Sequence, residues 1–155
     1  MYNISWNEFE TLAIELAESI IKSEKKYTTV ICVSRGGLLL GRLLSEILEL
    51  PLGVISAKHD ADKYGNYYVD PHISFLYDFT DDILLVDDVF EDTANVIKEV
   101  IHKNRPAVKH IALACIFYRP TKGFVPDYFI NILHDQLTIN FPYQKPIREH
   151  TQDDI

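Results

Sequence analysis

Apolar and polar positions alternate along the chain in blocks that mark its elements. Phe9, Leu12, Ala13, Leu16, Ala17, Ile20 and Ile21 recur at helical spacing. Ser5 stands before this run with Glu8 three residues on, which is the spacing of a capping box. Residues 23–27 are polar and end the helix. Residues 28–33 (Thr-Thr-Val-Ile-Cys-Val) form an apolar, β-branched run that predicts a buried parallel strand. Residues 38–48 return to helical spacing, and 52–56 read as a second short strand. The stretch 57–70 is polar and has no period, and its length suits a lid or binding loop. Residues 73–77 read as a strand at a sheet edge and 83–86 as a buried one, followed by a helix over about 96–103. Two more strands are expected at 110–118 and 128–133. Residues 134–155 look irregular, although Phe141-Pro142-Tyr143 offers aromatics that can pack back on the body of the chain. Strands alternating with helices predict an α/β fold, a mainly parallel sheet flanked by helices, in a single domain over 1–155.

Composition narrows what such a domain can do. A chain of 155 residues, 47% hydrophobic, can bury a sizeable core. Its formal net charge of −8 argues against a general nucleic-acid binder, whose footprint is a basic face. It leaves room for a phosphorylated small molecule, because local backbone N–H groups, Arg and a metal can dominate a net acidic field. Cys32 and Cys115 both lie inside apolar runs, so a disulfide is not expected and a reducing compartment is. Residues 1–26 read as an amphipathic helix with acids throughout rather than a signal sequence. No stretch approaches the ~20 apolar residues of a membrane span. A cytoplasmic protein is expected.

Candidate chemistry gathers at strand ends. The strand 83–86 runs into Asp87 and Asp88, and small, polar and acidic residues then lead to a helix. Carboxylates at the carboxyl end of a strand are the usual site geometry of an open α/β sheet, and a helix amino end can hold phosphate. The same residues also serve simply to stop a strand and cap a helix. Strand 28–33 ends in Ser34-Arg35-Gly36-Gly37. The glycines let backbone N–H groups approach a ligand, and the arginine fork suits phosphate oxygens. The turn lacks the Gly-Lys-Ser/Thr ending of a Walker loop. Strand 110–118 ends in Arg119-Pro120-Thr121-Lys122. His59, Asp60 and Asp62 have the types of metal ligands, but a charged loop accounts for them better. Three strand ends on one edge suggest a ligand with phosphates, hydroxyls and a polar ring.

The sequence resembles the type I phosphoribosyltransferases, most of all the small xanthine–guanine and hypoxanthine enzymes. The resemblance runs through Ile4-Ser5-Trp6, Val33-Ser34-Arg35-Gly36-Gly37-Leu38, Leu85-Val86-Asp87-Asp88-Val89, Phe117-Tyr118-Arg119-Pro120 with Pro126-Asp127-Tyr128, and Ile139-Asn140-Phe141-Pro142-Tyr143. It implies a Rossmann-like fold with a lid at about 57–72 and a tail, about 134–155, that contributes to a base pocket. The implied reaction joins a purine base to phosphoribosyl pyrophosphate (PRPP), giving a nucleotide and pyrophosphate with Mg2+, as in purine salvage. Asp87 and Asp88 would hold the ribose hydroxyls and meet Mg2+ through water. Ser34, Arg35, Gly36 and Gly37 would hold the pyrophosphate. Asp92, Thr93, Ala94 and Asn95 would wrap the 5′-phosphate. An acid of the loop, Glu91 or Asp92, would take the proton of the base nitrogen. Arg119, where the family usually has lysine, would donate to the exocyclic oxygen, with Thr138 and Ile139 beside the base. A homodimer or homotetramer is implied by analogy.

Departures from the family pattern cluster in the loop. Phe90-Glu91-Asp92-Thr93-Ala94-Asn95 contains no glycine. An ungapped reading sets Glu91 at the acid position and Thr93 at the glycine. A one-residue insertion, the preferred reading, sets Asp92-Thr93-Ala94 in place of acid-Thr-Gly. Ala94 then adds a Cβ against the phosphate, and Val96 replaces a hydroxyl residue, so weaker phosphate binding is expected. Thr138 stands where an aromatic would stack on the purine, and Ala57-Lys58 where the lid often begins Ser-Tyr. A protein that binds a nucleotide or PRPP without turnover is the alternative.

Overall fold

A computed structural model describes residues 1–59, 67–74, 78–91, 93–120, 124–134 and 136–144. Elements run in the order β1 (Tyr2–Asn3), α1 (Trp6–Lys22), β2 (Thr29–Ser34), α2 (Leu38–Leu48), β3 (Leu52–His59), β4 (Tyr67–Ser74), β5 (Asp81–Phe90), α3 (Thr93–Asn104), β6 (Val108–Tyr118), β7 (Tyr128–Ile132) and β8 (Ile139–Asn140). Six strands make the main sheet in the order β4-β3-β2-β5-β6-β7. Only β4 is antiparallel to its neighbour. The expected α/β fold with a mainly parallel sheet is what forms.

Burial follows from the sequence pattern. The central strands are apolar on both faces, as parallel strands covered on two sides must be. Val30, Leu84, Val86, Ala114 and Ile116 point to one face, where Phe9, Ala13, Leu16 and Ile20 of α1 and Leu40 and Leu44 of α2 cover them. Ile31, Val33, Ile83, Leu85, Leu113 and Cys115 point to the other, under Ala94, Ile97 and Ile101 of α3. Ser5 caps α1 in a complete capping box with Glu8.

Topology fixes where a site can lie. The crossover through α2 carries the chain from β2 outward to β3, and the crossover through α3 carries it from β5 the other way to β6. The direction therefore reverses between β2 and β5, and open sheets bind ligands in the crevice at such a reversal. Pairing of β2 with β5 ends at Cys32 opposite Val86. Beyond that point β5 continues along β6 alone, with Asp87 opposite Cys115 and Phe90 opposite Tyr118.

Four expectations need correction. The segment 57–72, read as aperiodic, has paired backbone at both flanks: β3 runs to His59 and β4 begins at Tyr67, with Ala57 opposite Val69. Its tip, 60–66, lies outside the described residues. Tyr67, Tyr68 and Val69 carry strand propensity, and a proline such as Pro71 is tolerated in β4 because it is an edge strand. Asp87 and Asp88 lie within β5 rather than after it, because β6 extends the pairing. Helix α3 starts at Thr93, three residues before the apolar period becomes visible. The ends are also more regular than expected: Tyr2–Asn3 is a short strand ahead of α1, pairing in parallel with Ile139–Asn140 of the tail.

Candidate active site

The turn after β2 and the acid pair of β5 face each other across the crevice. The turn is tight: the Gly37 N–H donates to Val33 O at 2.9 Å and the Leu38 N–H to Arg35 O at 3.1 Å, and the Ser34–Arg35 peptide is cis. Both glycines sit in tight space, Gly37 against backbone and Gly36 against a side chain. A Cβ on Gly37 would lie 2.6 Å from Val86 O and 2.8 Å from Val33 O. A Cβ on Gly36 would lie 2.5 Å from Asp88 Oδ1. The glycine turn thus rests directly on the carboxylate. Helix α2 follows with no side chain capping its amino end. Arg35 and Gly36, with Tyr143 and Gln144, line a pocket of about 620 Å3. Ser34 turns sideways to β3, its Oγ 3.0 Å from that of Ser56.

Asp88 is 8% exposed and nearly lost to solvent. Its Oδ1 accepts the Val89 N–H at 2.8 Å, and its Oδ2 accepts the Tyr143 hydroxyl at 2.9 Å. Asp87 Oδ1 accepts the Asp88 N–H at 2.9 Å. Burial, and then the neighbouring Asp88 carboxylate, push the Asp87 carboxyl well above the usual carboxylate range. Tyr143 is likewise raised, by burial and then by Asp88, so its hydroxyl remains a donor. The two thiols take no part: burial pushes Cys32 up to about 11 and raises Cys115 as well. They pack as small hydrophobes, as expected.

A second group of residues meets at the end of β6. The Arg119 Nε–H donates to Glu91 Oε1 at 3.1 Å and its Nη2 to Leu137 O at 3.0 Å, while its backbone N–H donates to Phe90 O at 3.0 Å. Arg119 therefore ties the loop after β5 to the tail. Thr93 opens α3, and Asn95 is exposed in its first turn. Ala94 points its side chain fully into the core, and its N–H is spent on Glu91 O at 3.1 Å. Thr138 is exposed, its carbonyl accepting the Tyr2 N–H at 2.8 Å, and Ile139 pairs with Tyr2.

The structure brings Arg35, Gly36, Gly37, Asp87 and Asp88 to one crevice, and Glu91, Arg119 and the tail to one cluster. Asp92, Thr121, Lys122, Asp60 and Asp62 lie outside the described residues, as does the His59 side chain. Among the described residues no group of three or more His, Cys, Asp or Glu side chains could hold a metal ion. Two participants escaped the sequence: the Tyr143 hydroxyl on Asp88, and the Leu137 carbonyl on Arg119. For the first, the aromatic pair Phe141 and Tyr143 in an otherwise polar tail was the available signal. For the second there was none, since any residue carries a carbonyl.

Comparison with known proteins gives the arrangement its relatives. The sequence model of the phosphoribosyl transferase domain matches residues 5–146. A purine phosphoribosyltransferase from Pyrococcus horikoshii Ot3 superposes with a TM-score of 0.76 at 27% identity, over 97% of this chain and 98% of that one. A xanthine-guanine-hypoxanthine phosphoribosyltransferase from Helicobacter pylori gives 0.76 at 22% identity, over 90% and 91%. A hypothetical protein from Neisseria gonorrhoeae with bound ppGpp gives 0.66 at 18%, over 93% and 90%. The last two speak to the fold alone. No described helix is long and apolar enough to cross a membrane.

Proposed function

The chain belongs to the phosphoribosyltransferase family of enzymes, and from that premise we propose that it transfers phosphoribosyl from PRPP to a 6-oxopurine (hypoxanthine, guanine or xanthine), releasing the nucleotide and pyrophosphate. The observation that carries this reading is the contact between the Gly36 turn and the Asp88 carboxylate at the β2/β5 crevice. A turn that presents backbone N–H groups and Arg35 suits a diphosphate. A carboxylate pair beside it suits vicinal ribose hydroxyls, so the two halves of PRPP meet where the bond between them must break.

Roles follow from that fit. The anomeric C–O bond breaks with its electron pair leaving on pyrophosphate, and a C–N bond forms to the base nitrogen. Ser34, Arg35, Gly36 and Gly37 bind the leaving pyrophosphate. Asp87 and Asp88 hold the ribose hydroxyls close to the oxocarbenium charge that develops on the sugar. Asp92, Thr93, Ala94 and Asn95 border the 5′-phosphate. The base proton passes to Glu91 or Asp92. Arg119 donates to the exocyclic oxygen, with Thr138 and Ile139 alongside. Hard oxygen donors suit Mg2+, but two carboxylates already engaged by hydrogen bonds suit it through water rather than as a cage. When bound with PRPP, Mg2+ supplies charge neutralisation on the diphosphate. A homodimer or homotetramer is the assembly proposed.

The test is incubation with PRPP, Mg2+ and each of hypoxanthine, guanine, xanthine and adenine, reading pyrophosphate release. No release with any base would overturn the reading. Asp88→Asn is expected to lower the rate at least ~10-fold. One observation favours a second reading, a binder that does not turn over: the Ala94 N–H is already spent on Glu91 O and cannot serve a phosphate. Saturable calorimetric binding of PRPP or a nucleotide with no product would support that reading.

A further inference from the structure

We propose that Tyr143 is the positioning residue of Asp88, fixing the carboxylate for the ribose hydroxyls of PRPP; the inference rests on the phosphoribosyl-transfer reading above and deepens it. Asp88 is a buried carboxylate, and such a group needs donors to keep its orientation. The Val89 N–H on Oδ1 is a local contact that β5 supplies by itself. On Oδ2 the donor arrives from the tail, 55 residues along the chain. Among the described residues this hydroxyl is the only side-chain donor on Asp88.

Tyr143 is built to stay where it is. Its ring stacks on Phe141 with centroids 5.3 Å apart and planes at 10°. The Phe9 ring meets it edge-on at 5.4 Å, and Trp6 closes the outer side at 6.4 Å. Phe141, 1% exposed, is anchored by its own N–H donating to Gln144 Oε1 at 2.7 Å. A tyrosine has one hydroxyl proton. Asp88 Oδ2 at 2.9 Å is a better acceptor for it than Gly36 O at 3.4 Å, being closer and charged. Each carboxylate oxygen has two acceptor sites. Val89 and Tyr143 take one on each, which leaves one on each for a sugar hydroxyl at a fixed angle. The benefit is pre-organisation: the carboxylate does not have to give up rotational freedom when ligand arrives.

Calorimetry with two magnesium-loaded ligands tests the assignment. PRPP carries the ribose, and inorganic pyrophosphate does not. Tyr143→Phe keeps the stack and removes only the hydroxyl. Tyr143→Met, which fills much of the same space and carries no donor, is the second variant with the same expectation. Each should weaken PRPP roughly 3–10-fold, leave pyrophosphate affinity unchanged, and leave KM for the base unchanged. Tyr27→Phe removes the 2.7 Å contact with the Tyr128 hydroxyl at the far end of the sheet and serves as the stability control, with PRPP affinity as in the wild type. Tyr143 variants that bind PRPP normally, or that lose PRPP and pyrophosphate alike, overturn the inference and leave the function standing. A wild-type protein that binds no PRPP overturns the function and this inference with it.

Discussion

Gly36→Ala puts the contact at the centre of the site to a quantitative test. Its added Cβ would sit 2.5 Å from Asp88 Oδ1 and 2.8 Å from both Cγ and Oδ2, whereas ordinary contact begins at 3.4 Å. The carboxylate must retreat by about 0.9 Å, and a shift of that size stretches a 2.8 Å hydrogen bond beyond bonding range. Losing one hydrogen bond to a charged group costs roughly 1.5–3 kcal/mol. If that loss falls on the bound state, kcat/KM for PRPP drops about 10–150-fold, at 1.36 kcal/mol per tenfold. Gly41→Ala is the comparison. Its Cβ would meet Cys32 Cβ at 2.4 Å, away from the crevice, so it overpacks the core by about 1–3 kcal/mol without touching the acids. Urea unfolding gives the stability of each variant, and pyrophosphate release gives its activity per folded molecule. Gly36→Ala with wild-type kcat/KM would refute the claim that the turn and the carboxylate share one tightly filled space.

Three further outcomes are expected. Asp87→Asn should raise the melting temperature at pH 7.5, because a carboxyl with a raised folded-state pKa contributes fully below its unfolded value near 3.8 and loses that contribution as pH climbs through the raised one. The gap between variant and wild type should close at about pH 4, and a gap that persists or widens there would refute the assignment. Arg119→Met should raise KM for the base about tenfold or more while KM for PRPP changes little, since it removes the donor proposed for the exocyclic oxygen together with the hydrogen bonds to Glu91 and Leu137 O. Equal effects on both substrates in steady-state kinetics would count against it. Ser5→Ala breaks the capping box of α1 and should lower the melting temperature by roughly 2–4 °C with kcat unchanged, measured by circular dichroism and the same assay.

What the sequence makes legible is what is local. The apolar period of 38–48 coincides with α2 at both ends, and Ser5 with Glu8 marks the start of α1, because the interactions involved span three or four residues. The alternating sides of β2 and β5 could not be read from continuous apolar runs, only that both sides are buried. Pairings between distant segments were hidden. Whether β5 stops at Val86 or runs on to Phe90 depends on β6, and whether 67–74 is loop or strand depends on β3. The candidate site divides the same way. Asp87, Asp88 and the glycine turn stand out as residue types at strand ends, whereas the Tyr143 hydroxyl reaches Asp88 only through the fold of the tail.

The pairing of Tyr2 with Ile139 has a consequence for how the protein comes into being. During synthesis Tyr2–Asn3 has no partner until Ile139–Asn140 has followed the six strands of the main sheet. The sheet, the glycine turn and the acid pair can all be assembled before then, with Asp88 still open on the side that Tyr143 will cover. The stretch that finishes the crevice therefore follows the sheet it closes, and a chain halted shortly before Ile139 would lack the piece that holds Asp88 still.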